Sequence, residues 1–344
     1  MEKTDIKSMT LDELTEYIVA AGFPKFRGKQ LYDWMHVKLV EGYEEMTNIP
    51  KQLKDFLSEN TFFASLKPAR VQVSKEDGTA KYLFELYDGN YIESVLMHYK
   101  HGNSVCISSQ AGCRMGCRFC ASTLDGLSRS LEPSEMLDQI YRIQKSTGER
   151  VTNVVVMGSG EPFDNFDNFV RFEKLLTDEN GLNISARNLT VSTCGLVPKI
   201  YELADMKLQI TLAISLHAPN DEIRSRTMPV NKRWNIDELL KACRDYTKAT
   251  SRRISFEYAM ISGVNDSDEC AKELASRLKG MLCHVNLIPV NSVKERDFRR
   301  SDNTRINEFI KILEKHGINV TVRRTLGSDI NASCGQLRRG AKKE

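Results

Sequence analysis

Long hydrophobic runs are absent from this sequence of 344 residues: no apolar stretch approaches the roughly 20 residues needed to span a bilayer. The first residues, 1–5, are charged from the second position and lack the apolar segment of a secretory signal. A strong excess of one charge is absent as well, since 49 basic residues stand against 46 acidic ones. We therefore expect no membrane partner and a cytoplasmic location. The net charge of +3 neither requires nor excludes a nucleic-acid partner.

Proline is also scarce, with 9 prolines beside 20 glycines, and the chain has no internal repeat or low-complexity segment. Hydrophobic residues make up 41% of the chain, which supplies a proper core and excludes a disordered or collagen-like chain. Basic residues cluster in two segments, 294–305 and 322–344. Each of these segments is by itself typical of a solvated surface.

Cysteine, by contrast, is frequent, with nine residues in the chain. Their odd number and uneven spacing argue against the disulfide framework of a secreted protein. In a reducing compartment a cysteine cluster indicates metal binding or catalysis, whereas isolated residues such as Cys243 and Cys270 are typical of small core positions. The cysteine cluster is therefore the feature most informative about function.

The pattern of apolar residues changes twice along the chain. Apolar residues at helical spacing predict short helices over 11–21, 29–39 and 51–57, within an N-terminal helical domain of residues 1–66. Alternating runs at 82–87 and 91–96, separated by Asp88-Gly89-Asn90, predict a β-hairpin extension within residues 67–103. Residues 104–323 then alternate between strand and helix patterns, and residues 324–344 form a C-terminal loop and tail.

This alternation over residues 104–323 predicts the fold class. Buried strands rich in Val and Ile are separated by helical segments, which indicates a parallel sheet with right-handed crossovers. The predicted strands are 105–108, 153–157, 188–192, 209–215, 253–260, 284–289 and 318–323, and the predicted helices include 133–145, 166–176, 236–248, 266–279 and 304–316. We therefore expect an α/β protein built on an open or incomplete (β/α) barrel.

Polar segments follow most of the predicted strands. They are 108–123, 158–162, 192–195, 215–220, Asn291 and 325–336. The carboxyl ends of barrel strands form the active-site face, so these segments predict one catalytic mouth.

The motif Cys113-Arg-Met-Gly-Cys117-Arg-Phe-Cys120 is the most specific feature of the sequence. Closed structural zinc sites and ferredoxin-type clusters need four ligands, and no fourth Cys or His is adjacent in the sequence. Three cysteines suit a [4Fe–4S] cluster whose fourth iron remains open to another ligand. The alternative is a zinc ion with a distant fourth ligand.

This cysteine loop after the first barrel strand resembles that of the radical S-adenosylmethionine (SAM) superfamily. The segment Gly158-Ser-Gly-Glu161 looks like the glycine-rich motif that binds the SAM amino group, although without the resemblance it would be an ordinary βα turn. Ser159 departs from the methionine common in that motif. The resemblance implies a radical-SAM barrel that binds one [4Fe–4S] cluster per subunit, to which SAM coordinates exchangeably.

Longer motifs resemble the RlmN family, whose members are dual-specificity 23S rRNA and tRNA adenine-C2 methyltransferases. These motifs are 24–30, 106–110, 160–162, 215–221 and 328–337, so that the resemblance covers nearly the whole chain. It implies 23S rRNA and tRNA as partners, two molecules of SAM per turnover and a flavodoxin- or ferredoxin-type reductant. It also implies RNA binding by the N-terminal helical domain, where Lys25, Arg27 and Lys29 fit that role. We expect a monomer, since nothing in the sequence indicates a symmetric interface.

The resemblance implies a role for individual residues. Cys334 would carry an S-methyl intermediate, Cys106 would resolve the adduct through a transient disulfide with Cys334, and Glu93 would accept the C2 proton. From the sequence alone, the two cysteines are ordinary thiols and Glu93 is a hairpin carboxylate. The implied cluster ligands are Cys113, Cys117 and Cys120, and the implied SAM-binding residues are Gly160, Glu161, Ser192, Ser215, Leu216, His217 and Asn291.

Three other interpretations remain open. A Cfr-type relative would methylate adenine at C8, although Pro162 and Pro289 resemble the C2 enzymes. Segment 292–303 lacks the proline-rich loop of some relatives, which bears on RNA contacts. A non-catalytic RNA-binding protein with a structural metal loop and a radical-SAM enzyme acting on a small molecule are the remaining alternatives.

Overall fold

A computed structural model describes residues 3–290 and 297–330 of the chain. These residues form fourteen strands and ten α-helices. The strands are β1 Thr4–Asp5, β2 Thr61–Phe62, β3 Lys67–Val73, β4 Ala80–Glu85, β5 Tyr91–Tyr99, β6 Gly102–Ile107, β7 Gln110–Gly112, β8 Leu127–Ser130, β9 Val151–Val156, β10 Leu189–Thr193, β11 Thr211–Ser215, β12 Ile254–Met260, β13 Cys283–Pro289 and β14 Val320–Val322. The helices are α1 Leu11–Ala20, α2 Phe26–His36, α3 Lys51–Asn60, α4 Pro133–Thr147, α5 Phe166–Thr177, α6 Val197–Met206, α7 Asp221–Thr227, α8 Ile236–Thr250, α9 Asp268–Leu278 and α10 Asn303–Lys315.

The predicted barrel is present as the parallel part of one ten-stranded sheet. Its strand order is β14-β13-β12-β11-β10-β9-β6-β5-β4-β3, and the seven strands from β14 to β6 are parallel to their neighbours. Between these strands run the helices that cover the sheet, and most of the buried hydrophobic residues of both layers belong to one continuous core. The order begins at β14 and ends at β3 without closing, so the prediction of an incomplete (β/α) barrel is confirmed.

The predicted hairpin extension is larger than expected and is not separate from the barrel. Three antiparallel strands, β3 to β5, are present, and β5 pairs with β6 along the edge of the parallel strands. Strand β3 was not predicted because most of its side chains are exposed, and its sequence lacks a clear alternation of apolar and polar residues. The consequence is that residues of the hairpin and of the first barrel strand share one sheet face.

The three N-terminal helices are present, and helix α2 begins three residues earlier than the prediction of 29–39. Position 28 of this helix requires glycine, because a Cβ atom there would lie 2.5 Å from Oγ1 of Thr15 on α1. Helices α1 and α2 therefore approach each other closely at Gly28. Helix α1 begins at a capping box in which Thr10 and Glu13 exchange hydrogen bonds between side chain and backbone.

Buried charges join the N-terminal helical region to the barrel. Nζ of Lys7 lies 2.8 Å from Oδ1 of Asp138 on α4, and neither side chain is accessible to solvent. The other carboxylate oxygen of Asp138 accepts a hydrogen bond from the backbone N–H of Leu66. Nη2 of Arg142 donates to the carbonyl oxygen of Leu39, one turn further along α4. Displacing one region against the other would leave a buried charge without its partner, so these contacts fix their relative position. None of the described helices is long and apolar enough to cross a membrane.

Candidate active site

The three cysteines of the 113–120 motif lie on a loop that follows the short strand β7. Backbone hydrogen bonds fix this loop at both ends: Cys113 N–H donates to the carbonyl oxygen of Gly126, and Arg118 N–H donates to that of Thr227. The hydroxyl of Thr123 lies within hydrogen-bond distance of the carbonyl oxygens of Cys117 and Cys120. The loop is therefore held in shape by hydrogen bonds with the backbone of neighbouring segments and by the Thr123 hydroxyl.

All three thiols line one cavity of about 260 Å³ at the carboxyl ends of the barrel strands. Cys113 and Cys117 are buried, Cys120 is partly exposed, and none of the three forms a disulfide. Burial raises the pKa of Cys113 to about 12, and the nearby thiolates of Cys120 and Cys113 add to the rise in the pKa of Cys117. These thiols lie close enough for their thiolate forms to repel one another. A positively charged metal centre bound to them would offset this repulsion.

The donor set has the chemistry that an iron–sulfur cluster requires. Within the described ranges, no group of three Cys, His, Asp or Glu side chains is arranged to hold a single metal ion. Three thiols from one loop line the same cavity, and cysteine thiolates are the usual ligands of iron–sulfur clusters. Cys113, Cys117 and Cys120 would hold a [4Fe–4S] cluster at this cavity.

A fourth thiol, that of Cys194, packs in the same small cluster of buried residues as Cys117. It follows strand β10 and also lines the cavity. The sequence analysis did not single it out because Cys194 is far from the motif along the chain. The fold brings the two cysteines together, because the segment after β10 packs against the 113–120 loop.

The two glycines of the 158–161 motif are required by packing against the loop after β6. A Cβ on Gly158 would lie 2.6 Å from the carbonyl oxygen of Ile107. A Cβ on Gly160, whose φ is +110°, would lie 2.7 Å from the backbone nitrogen of Gln110. Backbone packing therefore requires glycine at both positions, whether or not a ligand binds there.

Glu161 is buried in the cavity wall and held by backbone hydrogen bonds. Its Oε1 accepts from Phe163 N–H at 3.0 Å, and its Oε2 accepts from Cys194 N–H at 2.8 Å. Burial raises the pKa of Glu161, and these hydrogen bonds oppose the rise. The carboxylate is therefore fixed in one orientation at the cavity surface.

The predicted residues after β10 and β11 meet in the same cavity. The hydroxyls of Ser192 and Ser215 are 3.2 Å apart, and both residues line the cavity with His217. Nδ1 of His217 accepts a hydrogen bond from Ala259 N–H at 2.9 Å, and burial lowers the pKa of this ring to about 3. His217 is therefore neutral, and its Nε2 carries the proton.

The remaining predicted SAM-binding residues differ in where the structure places their side chains. Gly160 and Glu161 line the cavity with the serines, whereas the side chain of Leu216 is buried in the main hydrophobic core. The backbone N–H of Leu216 donates to the carbonyl oxygen of Glu257. Asn291 and Cys334 lie outside the described residues.

Two residues near the cavity were missed by the sequence analysis. Glu257 on β12 is buried in the cavity wall, where its carboxylate accepts hydrogen bonds from Ser255 and Asn286. Arg224 on α7 is fully buried, and its guanidinium donates to the carbonyl oxygens of Leu216 and Cys194. A charged residue at an inward position of a strand is a signal that could have identified Glu257. A helix as short as α7 offers no comparable signal for Arg224.

Glu93 and Cys106 line a second cavity of about 300 Å³. This cavity shares Met157, Gly158, Ile288 and Arg323 with the cysteine cavity, so the two spaces adjoin. Burial raises the pKa of Cys106, and the nearby Arg323 opposes the rise. The predicted proton acceptor and the predicted resolving thiol are therefore neighbours beside the predicted cluster site.

Two family patterns match this chain. The pattern of the radical SAM superfamily matches residues 107–275, and that of the ribosomal RNA large subunit methyltransferase N-terminal domain matches residues 4–62. The first match contains the cysteine loop and the glycine motif, and the second contains helices α1 to α3.

Individual proteins are similar over almost their whole length. A protein of Lachnospira eligens, described as a probable dual-specificity RNA methyltransferase RlmN, is 63% identical over 97% of this chain and 96% of its own. A protein of Alkaliphilus oremlandii with the same description is 56% identical over 98% of both chains. The crystal structure of a radical SAM methyltransferase from Sphaerobacter thermophilus superposes with a TM-score of 0.93 at 46% identity, covering 97% of this chain and 98% of that one.

Proposed function

Because the chain belongs to the RlmN family of radical SAM dual-specificity RNA methyltransferases, we propose that it methylates carbon 2 of an adenosine in 23S rRNA and adenosine 37 of some tRNAs. In 23S rRNA the proposed target lies in the peptidyl transferase centre. The observation that carries the proposal is the pair of adjoining cavities, one lined by three cysteines and the other by Glu93 and Cys106.

The target atom explains why this arrangement is needed. Carbon 2 of adenine is electron-poor and has no acidic proton, so it cannot displace a methyl group from SAM as a nucleophile. Cys113, Cys117 and Cys120 would hold the cluster, which would supply the electron for reductive cleavage of SAM. The protein itself must supply a methyl carrier, a base and a resolving thiol.

Three residues fill these roles in the proposed reaction. Cys334 accepts a methyl group from a first SAM, loses a hydrogen atom from that group to the radical made from a second SAM, and bonds to C2 through the remaining methylene carbon. Glu93 accepts the proton of C2, and the adduct gives up the unpaired electron left by radical addition, for which a cluster held by Cys113, Cys117 and Cys120 would be the acceptor. The Cys106 thiolate then attacks Sγ of Cys334 and a disulfide forms. The C–S bond breaks with its electron pair on the former methylene carbon, which takes up a proton to complete the methyl group as the base departs. The shared cavity of Glu93 and Cys106 supports the last two assignments.

The cavity with the cysteines would hold SAM beside the cluster. The fixed carboxylate of Glu161 suits the SAM ammonium group, since a charge-assisted hydrogen bond forms there without reorganisation. The hydroxyls of Ser192 and Ser215 and the N–H of neutral His217 supply further hydrogen bonds to ribose or carboxylate oxygens. Gly160 borders the same space, and Asn291 completes the proposed set together with the backbone at Leu216.

RNA binding involves the N-terminal helices in this proposal. Lys25 and Lys29 are exposed on and beside the first turn of α2, and Phe26 between them is 55% exposed. Cations neutralise phosphates, and an exposed aromatic ring stacks on an unpaired base. The target adenosine must leave its stack to reach the cavities. A flavodoxin- or ferredoxin-type protein is the proposed electron donor, in the cytoplasm and with a monomeric enzyme.

The decisive experiment is an anaerobic assay of the reconstituted protein. The holoenzyme is incubated with SAM, a one-electron reductant and rRNA from cells that lack the modification, and nucleosides are identified by mass spectrometry. Formation of 2-methyladenosine, with a trapped protein–RNA adduct in Cys106→Ala, is the expected result. The matched control is Cys243→Ala, which removes a buried thiol that lines neither cavity and traps no adduct.

Two other outcomes would overturn parts of the proposal. Formation of 8-methyladenosine would keep the thiol-based route and replace the target carbon. An intact cluster that cleaves SAM without methylating RNA would instead indicate a small-molecule substrate.

A further inference from the structure

Lys81 lies beside Glu93 and Cys106 on one face of the sheet. Strand pairing places Lys81 of β4 opposite Val95 of β5, and Val95 opposite Cys106 of β6. Residues directly opposite each other on neighbouring strands point to the same face, and so do residues two apart on one strand. Glu93 is two residues before Val95, so Lys81, Glu93 and Cys106 share that face.

Lys81 and Glu93 form a buried ion pair. Nζ of Lys81 lies 3.1 Å from Oε2 of Glu93, and the exposed fractions of the two side chains are 1% and 2%. A buried ion pair stabilises a fold little, because both charges lose their hydration. Apolar residues of similar volume often replace such a pair without loss of stability. The pair therefore calls for a function, and its acidic partner is the proposed base.

The backbone of Glu93 is fixed as firmly as its side chain. Its carbonyl oxygen accepts a hydrogen bond from the Ser108 hydroxyl at 2.7 Å, which ties β5 to the loop after β6. The carboxylate therefore has a fixed position in the cavity that it shares with Cys106.

Cys106 is within electrostatic reach of both members of the pair. The negative charge of Glu93 adds to the rise in the pKa of this thiol, whereas the positive charge of Lys81 opposes it. The charged or titratable groups that face Cys106 or line its cavity are Lys81, Glu93, Tyr99, Arg323 and Arg324. While Glu93 is ionised, it neutralises Lys81, and the thiolate of Cys106 is disfavoured.

We propose that Lys81 is a positioning residue that holds the Glu93 carboxylate while it acts as the base, and that it then becomes the counter-ion of the Cys106 thiolate. The inference depends on the proposed function, in which Glu93 and Cys106 act in succession. When the C2–H bond breaks, the proton moves to a carboxylate oxygen of Glu93, the electron pair of the bond restores the aromatic ring, and the unpaired electron left by radical addition returns to the iron–sulfur cluster. The Lys81–Glu93 pair then carries one positive charge. Cys106 neutralises this charge when its thiol loses a proton to solvent. The thiol is thus activated only after the C2 proton has been removed.

The first test measures the ionisation of Cys106 without any RNA. Full-length holoenzyme is alkylated with iodoacetamide under anaerobic conditions over a range of pH, and modification of the Cys106 peptide is followed by mass spectrometry. Glu93→Gln imitates the protonated base, so the midpoint should fall by about half a pH unit or more. Lys81→Met should raise the midpoint by a similar amount, and Lys81→Arg should restore it.

A matched control separates this effect from a general loss of buried charge. Glu173→Gln removes a buried carboxylate on α5 that does not line the cavity, and it should leave the midpoint unchanged. The inference fails if Glu93→Gln leaves the Cys106 midpoint unchanged or raises it. This result is decisive even if Lys81→Met does not fold, since Glu93→Gln retains Lys81.

The second test follows the reaction itself. Lys81→Met should still methylate Cys334 and form 5′-deoxyadenosine, but it should accumulate the protein–RNA adduct and resolve it at least about tenfold more slowly. The pH profile of resolution should move to higher pH, and Lys81→Arg should restore it. Resolution by Lys81→Met at the wild-type rate and pH would overturn the inference. If the wild-type holoenzyme forms no adduct at all, the proposed function fails instead, and alkylation alone decides the charge coupling.

Discussion

Arg224 and Cys194 are joined by a hydrogen bond of 2.6 Å from Nη2 of the guanidinium to the backbone carbonyl oxygen. The same side chain donates through Nε to the carbonyl oxygen of Leu216 and through Nη1 to the side chain of Asn231. One buried residue thus ties together the segments that follow β10 and β11. The ends of these two strands and the residues that follow them include four of the seven proposed SAM-binding residues, namely Ser192, Ser215, Leu216 and His217, so Arg224 maintains the shape of the cavity without lining it.

Replacing this buried guanidinium should be strongly destabilising. We expect Arg224→Met to lower the free energy of unfolding by about 3 kcal/mol or more, because several buried carbonyl groups lose their donors. Urea denaturation monitored by circular dichroism measures the change. Arg226→Met, an exposed position on the same helix, should change the value by less than about 0.5 kcal/mol. Equal stabilities of the two variants would contradict the role of Arg224.

The cysteine cavity predicts which thiols retain the metal. Alanine at Cys113, Cys117 or Cys120 should abolish retention of iron and sulfide in anaerobic preparations, since each removes one of three ligands. Cys194→Ala and the core control Cys243→Ala should retain both elements. Chemical analysis of iron, sulfide and zinc measures the outcome. Loss of metal from Cys194→Ala, with one equivalent of zinc in the wild type, would instead support a four-cysteine structural site.

His36 predicts a specific pH dependence of stability. It is buried on α2, its Nδ1 lies 2.7 Å from the Tyr141 hydroxyl, and burial lowers its pKa to about 3. Between about pH 6.5 and this value the unfolded state binds a proton that the folded state does not, so stability falls as the pH falls. The expected contribution of His36 is a loss of about 2 kcal/mol between about pH 7 and about pH 5.

A substitution isolates this contribution from those of other groups. His36→Gln should lose less stability than the wild type between the two pH values, as measured by urea denaturation at each. His101→Gln changes an exposed histidine and should retain the wild-type difference. If His36→Gln and the wild type lose equal stability, the buried neutral state of His36 is not the cause.

The basic surface formed by Lys25, Phe26, Arg27 and Lys29 predicts a salt-dependent affinity for RNA. Replacing Lys25 and Lys29 together with alanine should reduce the slope of log affinity against log salt by about 1.5, because two phosphate contacts are lost. Fluorescence anisotropy with labelled RNA at several salt concentrations measures this slope. Lys272 and Lys279, two exposed lysines on and just after α9, provide the control pair. An equal reduction from both pairs would indicate non-specific attraction.

The strands of the barrel could be predicted because burial leaves a short-range record in the sequence. Runs such as β9, rich in valine and bounded by polar segments, are recognisable without knowledge of their neighbours. The pairing of β5 with β6 is harder to predict from the sequence, since pairing between strands depends on register rather than composition. For this reason the 67–103 segment was predicted as a hairpin extension, whereas the structure shows three strands that continue the sheet.

The residues of the candidate site also differ in whether the sequence alone can predict them. The cysteine motif and the glycine motif are local, so they can be recognised in the sequence, and the family resemblance implies their chemistry. Glu257, Arg224 and the pairing of Lys81 with Glu93 depend on contacts between elements that are distant along the chain. Lys81 does leave one trace, because it is a charged residue near the start of a strand and is followed by three apolar residues. The proposed roles of Cys334 and Asn291 depend on the family alone.

The buried contacts of Lys7, Asp138 and Arg142 have a consequence for substrate choice. They hold the helices that carry the basic surface at a constant separation from the mouth of the barrel. In the proposed function, an RNA contacts both the basic surface and the cavities, and the fixed distance between them limits which nucleotide can reach the cavities. We therefore expect the position of an adenosine within a stem, as well as the identity of its base, to affect whether it is methylated.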